Sequence, residues 1–148
     1  MEQAKYILQA YLRVTQHMSR QFRSYFAQLN LTFPQALILT ALGEEGPMPI
    51  STLADHTGSA NSTISGIVDR LERMKLVKRE RSEDDHRVIY VSLTPEYHEL
   101  QKKMEPNVST YLCKLLQELS AEEVGQIAAA LNRLDEALGQ AEKKSGCL

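Results

Sequence analysis

Residues 51–74, STLADHTGSANSTISGIVDRLERM, are the stretch on which the fold turns. Ser51 reads as the cap of a two-turn helix that carries Leu53 and Ala54 inward and stops at Gly58, where a residue without Cβ suits a helix C-terminus. From Asn61 to Met74 a second helix follows, with Ile64, Ile67, Val68, Leu71 and Met74 at 3.6-residue spacing. Its opposite face holds Ser62, Thr63, Gly66, Asp69, Arg70 and Arg73. Two short helices about a glycine-containing turn, the second presenting small polar and arginine side chains, suit a helix-turn-helix. A buried helical hairpin would show the same pattern, so the flanking sequence must decide between them.

Downstream the period changes from helical to alternating. Leu76-Val77 with Lys78-Arg79-Glu80-Arg81 reads as a strand, 82–86 as a polar loop, and Arg87 to Leu93 as a β-branched second strand with Ile89, Val91 and Leu93 on one face. A helical hairpin followed at once by a charged-tip ribbon is the order of a winged helix. Upstream, Thr32 and Pro34 open a helix carrying Leu37, Ile38, Leu39 and Leu42, which ends between Gly43 and Gly46. Before it runs one long helix with Ile7, Leu8, Tyr11, Leu12, Met18, Phe22, Tyr25, Phe26 and Leu29 on its apolar stripe.

After the ribbon, Thr94-Pro95-Glu96 opens a helix whose apolar series runs from Tyr97 to Leu119 and is kinked or divided at Pro106. Ser120-Ala121-Glu122-Glu123 is a capping box starting a last helix, with Val124, Ile127, Ala128, Leu131, Leu134 and Leu138 along one side. The tail from Lys143 to Leu148 reads as unstructured. The fold class is therefore mainly α with a small β-wing: a winged helix-turn-helix over 32–94, with a helical lobe from 1–31 and 95–144, in a single 148-residue domain. The long helices carry more apolar surface than a wing and three short helices can cover, so self-association as a homodimer is expected.

The formal net charge of −2 argues against a uniformly basic nucleic-acid binder, but the charge is unevenly spread. Six cations stand against three anions between Asn61 and Arg81, whereas six stand against nine from Glu96 onward. Only the central element is fitted to meet phosphates, and Arg73 and Arg81 belong to it. No apolar run reaches the roughly 20 residues of a membrane span, and the N-terminus lacks an export pattern. The two cysteines, Cys113 and Cys147, form no metal or disulfide framework, so a cytoplasmic chain without metal or cofactor is expected. His17, His56, His86 and His98 are scattered and no nucleophile or phosphate-loop spacing occurs, which argues against an enzyme. The absence of Trp, and of aromatics among the basic residues, favours duplex DNA over single strands.

Leu53-Ala54, Asn61-Ser62-Thr63-Ile64-Ser65, Asp69-Arg70-Leu71-Glu72, Leu76-Val77-Lys78-Arg79, Asp85-His86-Arg87 and Leu93-Thr94 resemble, in order and spacing, the MarR family of bacterial regulators. The resemblance extends along the whole chain. It implies a homodimer on near-palindromic promoter DNA, acting as a repressor released by a small aromatic or lipophilic molecule or by oxidation. Carried over, Asn61, Ser62, Thr63, Ser65 and Arg70 lie on the major-groove helix, Arg87 reaches the minor groove from the wing, and Asp85 braces that wing against an arginine. The implied effector cleft draws on Tyr11, Met18, Phe22, Tyr25 and Phe33, which core packing explains equally well.

The sequence departs from the family pattern at four places. Gly66 stands where many members carry a base-reading arginine, Lys75 replaces a turn glycine, Tyr97 replaces a glycine after the Leu-Thr pair, and His86 replaces a wing arginine. Gly66, the overall acidity and the acidic wing tip Glu83-Asp84-Asp85 leave an alternative open, a winged-helix protein-interaction module with weak or lost DNA affinity. For a redox role Cys113 is the candidate, and its leucine-rich setting predicts a buried, inert thiol.

Overall fold

Several helix ends between Met1 and Tyr111 can be traced to a local device. The computed structural model describes residues 1–145 and divides into two compact units, Met1–Tyr111 and Leu112–Leu148. In order the elements are α1 (Glu2–Ala27), α2 (Phe33–Glu45), β1 (Met48–Pro49), α3 (Ile50–Thr57), α4 (Asn61–Arg73), β2 (Val77–Arg81), β3 (Ile89–Leu93), α5 (Pro95–Lys103), α6 (Val108–Leu115) and α7 (Ala121–Ser145). The fold class read from the sequence is the one observed: mostly helical, with a small antiparallel sheet.

Three helices end on the same hydrogen-bonded turn, each with a different residue in the left-handed conformation. After α1 it is Asn30 (φ 56°), after α3 Gly58 (φ 64°) and after α4 Lys75 (φ 63°). In each the following N–H reaches back five residues: Leu31 to the Phe26 carbonyl, Ser59 to Ala54, Leu76 to Leu71. Asparagine tolerates this conformation and glycine adopts it freely, but a lysine is strained there. Lys75 thus takes, under strain, the turn conformation that glycine adopts freely.

The sheet has the order β1-β3-β2, antiparallel throughout, with Val77 opposite Leu93, Arg79 opposite Val91 and Arg81 opposite Ile89. β1 is a third strand that the sequence reading did not contain; Met48 pairs with Val91 and Pro49 with Tyr90. Two residues, one of them proline, carry no periodic signal, and only the partner strand defines them. Because Pro49 is held extended in that pair, α3 starts at Ile50 with Pro49 as its N-cap. The expected Ser51 cap is corrected accordingly.

Thr32 and Gln35 form a reciprocal capping box on α2, at 3.3 and 2.9 Å. The Thr40 hydroxyl donates to the Ala36 carbonyl and accepts from the Val108 N–H at 2.9 Å, so a side chain of α2 caps α6. Pro106 divides the long C-terminal series, with α5 ending at Lys103 and α6 opening at Val108. The core of this unit joins Phe22 and Phe26 of α1 to Ile38, Leu39, Leu53, Ile64, Val68, Leu71, Val77, Val91 and Tyr97.

In the second unit, the Ser120 N–H donates to Glu123 Oε2 at 2.8 Å and the Glu123 N–H to Ser120 Oγ at 3.2 Å, the predicted capping box. Hydrogen bonding from Ser120, through its backbone N–H first and then its side chain, holds the Glu123 carboxyl below its ordinary pKa. The helix continues through Lys143 and Lys144 to Ser145, correcting the expected irregular tail there; 146–148 lie outside the described residues.

Candidate nucleic-acid interface

α4 turns Ile64, Val68 and Leu71 inward and so fixes which side chains face away from the core. Asn61, Ser62, Thr63, Gly66, Arg70 and Arg73 are all exposed, and Ser65 is half-buried. The helical period gathers Ser62, Thr63, Gly66, Arg70 and Arg73 on one side, and Asn61, above the buried stripe, is exposed because it opens the helix. Nothing lies within 4 Å of a Cβ built on Gly66, so the backbone there is open to close approach.

Arg79 of β2 is the residue whose role sequence reasoning missed. Its guanidinium donates to Asp69 Oδ1 at 2.7 Å and to the Ser65 carbonyl at 3.4 Å, and lies 3.4 Å from Glu72 Oε1. With 22% of its side chain exposed, Arg79 binds the wing's first strand to α4 and occupies both carboxylates of that helix's flank. The outward face is thereby left to Arg70 and Arg73, for which no ion pair occurs among the described residues. A signal existed: a cation two residues after buried Val77 falls on the inward face of a strand, opposite anions at 69 and 72.

The wing loop is closed by its own polar groups. Ser82 Oγ accepts from the Asp84 and Asp85 N–H groups, the Arg81 guanidinium donates to the His86 carbonyl at 3.0 Å, and the Val88 N–H donates to the Asp85 carbonyl. Asp85 accepts from both the backbone N–H and Nε of Arg87, at 3.1 and 3.2 Å. Arg87 is thus the arginine that Asp85 engages. Its side chain is 91% exposed, a cation on a loop stiffened beneath it.

The five candidate effector residues are not brought together as one lining. Phe22 stacks on Phe33 at 4.7 Å and Tyr25 on Tyr111 at 3.9 Å, while the Tyr25 hydroxyl donates to the Glu105 carbonyl at 2.9 Å. Burial first, then the Glu105 and Tyr111 charges, raises the Tyr25 phenol above its ordinary value. Met18 is half-buried, and Tyr11, about three turns before Phe22, is exposed. Beside the aromatic cluster a cavity of about 510 Å³ is bordered by Arg23, Ala27, Leu31, Phe33 and Pro34. Cys113 is exposed, which corrects the burial expected there: the apolar series of its helix leaves that position facing outward. Among the described residues no helix is long and apolar enough to cross a membrane, and no three His, Cys, Asp or Glu side chains converge as metal ligands.

Two packed helices, an outward polar face on the second and a three-stranded wing clamped to it define a winged helix-turn-helix protein. The family model described as "MarR family" matches residues 31–89. The HTH-type transcriptional regulator MgrA of Staphylococcus aureus is 30% identical over 119 residues, 80% of either chain. Among solved structures, AbsC of Streptomyces coelicolor, a MarR family transcriptional regulator, is similar with TM-score 0.81 and 25% identity, over 95% of this chain and 97% of that one. NadR, solved with 4-hydroxyphenylacetate, gives TM-score 0.70 and 26% identity over 86% and 91%. The chain belongs to the MarR family, winged-helix transcription regulators that bind DNA.

Proposed function

We propose that this chain is a homodimeric repressor of near-palindromic promoter DNA, released when a small aromatic or lipophilic molecule binds. The observation that carries the reading is the outward face of α4, with Asn61, Ser62, Thr63, Arg70 and Arg73 exposed while Asp69 and Glu72 are engaged by Arg79. Short hydroxyl and amide side chains and two arginines would contact base edges and phosphates in the major groove. Ser65, half-buried, would meet the backbone at its margin. Arg87, braced by Asp85, would enter the minor groove, and Arg81 would hold the wing loop that delivers it.

A two-fold pair would set the two recognition helices about 34–36 Å apart, one turn of DNA. Exposed Ile7, Leu8, Tyr11 and Leu12 on α1 and Ile127, Leu131 and Leu138 on α7 support such pairing, since a lone chain would leave these stripes in water. For the effector, the cavity beside Phe33 offers apolar walls and the Arg23 guanidinium for an acidic substituent. The complex of NadR with 4-hydroxyphenylacetate supports that chemistry for a relative.

Mobility shift on the promoter upstream of the chain's own gene, across a salt series, tests the reading. Wild-type affinity should fall steeply with salt, and Arg70→Ala and Arg87→Ala should each weaken it about tenfold or more. A salt-insensitive or absent affinity would overturn it in favour of the protein-interaction module.

A further inference from the structure

An acidic residue stands in the row of α4 proposed to meet DNA. Positions 62, 66, 69 and 73 are four, three and four apart, so Ser62, Gly66, Asp69 and Arg73 follow one another along the helix. Asp69 is one turn from the open backbone at Gly66 and one turn from Arg73, and 54% of its side chain is exposed. A turn is about 5.4 Å, well inside the screening length of about 10 Å at 0.1 M salt, so a bare carboxylate there would repel phosphates approaching Arg70 or Arg73. It would also draw Arg73 onto itself, because acid and arginine four residues apart pair readily on a helix surface. Arg73 is not so drawn: Asp69 is engaged by Arg79, and among the described residues Arg73 has no ion pair.

Arg79 is placed for that pairing rather than for a phosphate. Its Nη2 lies 2.7 Å from Asp69 Oδ1 and 3.4 Å from the Ser65 carbonyl, and its Nη1 lies 3.4 Å from Glu72 Oε1. Two carboxylates about one turn apart are thus bridged by the two ends of one planar fork, a geometry that suits a guanidinium better than an ammonium. The side chain is 22% exposed where that of Arg87 is 91% exposed. It springs from a strand position paired with Val91, so the sheet fixes where the guanidinium can stand. The neighbouring Lys78 is paired within the same strand to Glu80 at 2.7 Å and does not engage the α4 carboxylates.

We propose that Arg79 is a positioning residue for DNA binding: without touching DNA, it offsets the charge of Asp69 and Glu72, and so keeps Arg73 free and the row at Gly66 open to phosphates. This role rests on the promoter-binding reading and deepens it. It also accounts for how a chain of net charge −2 can present a face to DNA, since the acids nearest that face are held by a cation from another element.

Titration of the full chain against a fluorescent duplex carrying the promoter upstream of its own gene, from about 0.05 to about 0.3 M salt, tests this role. Arg79→Met keeps the stem and removes the charge. It should weaken binding about tenfold at the low end and about threefold or less at the high end, as salt screens the uncovered carboxylates. Adding Asp69→Asn and Glu72→Gln to it should restore affinity to within about threefold of wild type, although the guanidinium is still missing. Asp69→Asn with Glu72→Gln in a chain that retains Arg79 should bind about threefold tighter than wild type. This double variant keeps the test decisive where a thermal melt shows that Arg79→Met lowers stability. An undiminished loss in the triple variant would overturn the proposal and make Arg79 a phosphate contact or a plain wing anchor. A loss independent of salt, or a double variant that binds no tighter than wild type, would overturn it too. Were the wild type itself to bind without salt dependence, the promoter-binding reading would fall and take this role with it. Steep wild-type binding with an unrescued triple variant sinks this role alone.

Discussion

α4 and α7 carry the same kind of apolar stripe and put it to opposite use. On α4, Ile64, Val68 and Leu71 are all but inaccessible, packed within the first unit. On α7, Leu131 is 59% exposed and Leu138 57%, and no residue of that helix is buried. Periodicity reports that a face is apolar; it does not report what covers it. The covered stripe orients the surface proposed to face DNA, and the uncovered one is where a second copy is proposed to bind.

The largest effect that would separate the two helices is a truncation in each. Leu71→Ala should lower unfolding free energy by about 2–5 kcal/mol in chemical denaturation, from lost burial and the cavity left behind. Leu131→Ala within a monomeric chain should change it by no more than about 0.5 kcal/mol. If the two changes cost the same at low protein concentration, the contrast fails. Next in size, Leu131→Glu with Leu138→Glu should shift sedimentation from dimer to monomer, raising the dissociation constant about tenfold to a hundredfold. An unchanged dimer, or a wild-type chain monomeric at micromolar concentration, would break the proposed role of α7.

Smaller effects sharpen the picture around α4. Lys75→Gly should stabilise the chain by roughly 1 kcal/mol, because glycine relieves the left-handed strain where α4 ends, offset in part by its freer unfolded state. Thermal melts of this variant and of Gly58→Ala should move in opposite directions, the second downward. The last effect is one of pH. Tyr97's phenol is pushed up to about 12, by burial first and then by the Glu105 charge, from an ordinary 10.0. The protonated form is thus favoured by folding, and its contribution is full below pH 10 and lost as pH climbs toward 12. In Tyr97→Phe that part of the alkaline loss should disappear, giving a shallower decline over the same window.

Much of the site was legible because it rests on local periods. The outward set Ser62, Thr63, Arg70 and Arg73 follows once Ile64, Val68 and Leu71 are inside, and the Asp85–Arg87 pair spans only two residues. Arg79 was not legible in role, since its partners lie seven to fourteen residues earlier in another element. The effector candidates divide for a related reason. Phe22, Tyr25 and Phe33 join one aromatic cluster through Tyr111, a distant residue in the sequence, whereas Tyr11, on the same apolar stripe, lies exposed about three turns earlier.

By itself the sequence determined the order of elements, the faces of the helices and most of their ends, because caps, prolines and apolar spacing act over a few residues. Tertiary structure alone decided that Met48-Pro49 is a strand, that Pro49 rather than Ser51 caps α3, and that Cys113 faces outward. Each of these depends on what a segment meets across space, and a residue's distant neighbours are not written in its own vicinity.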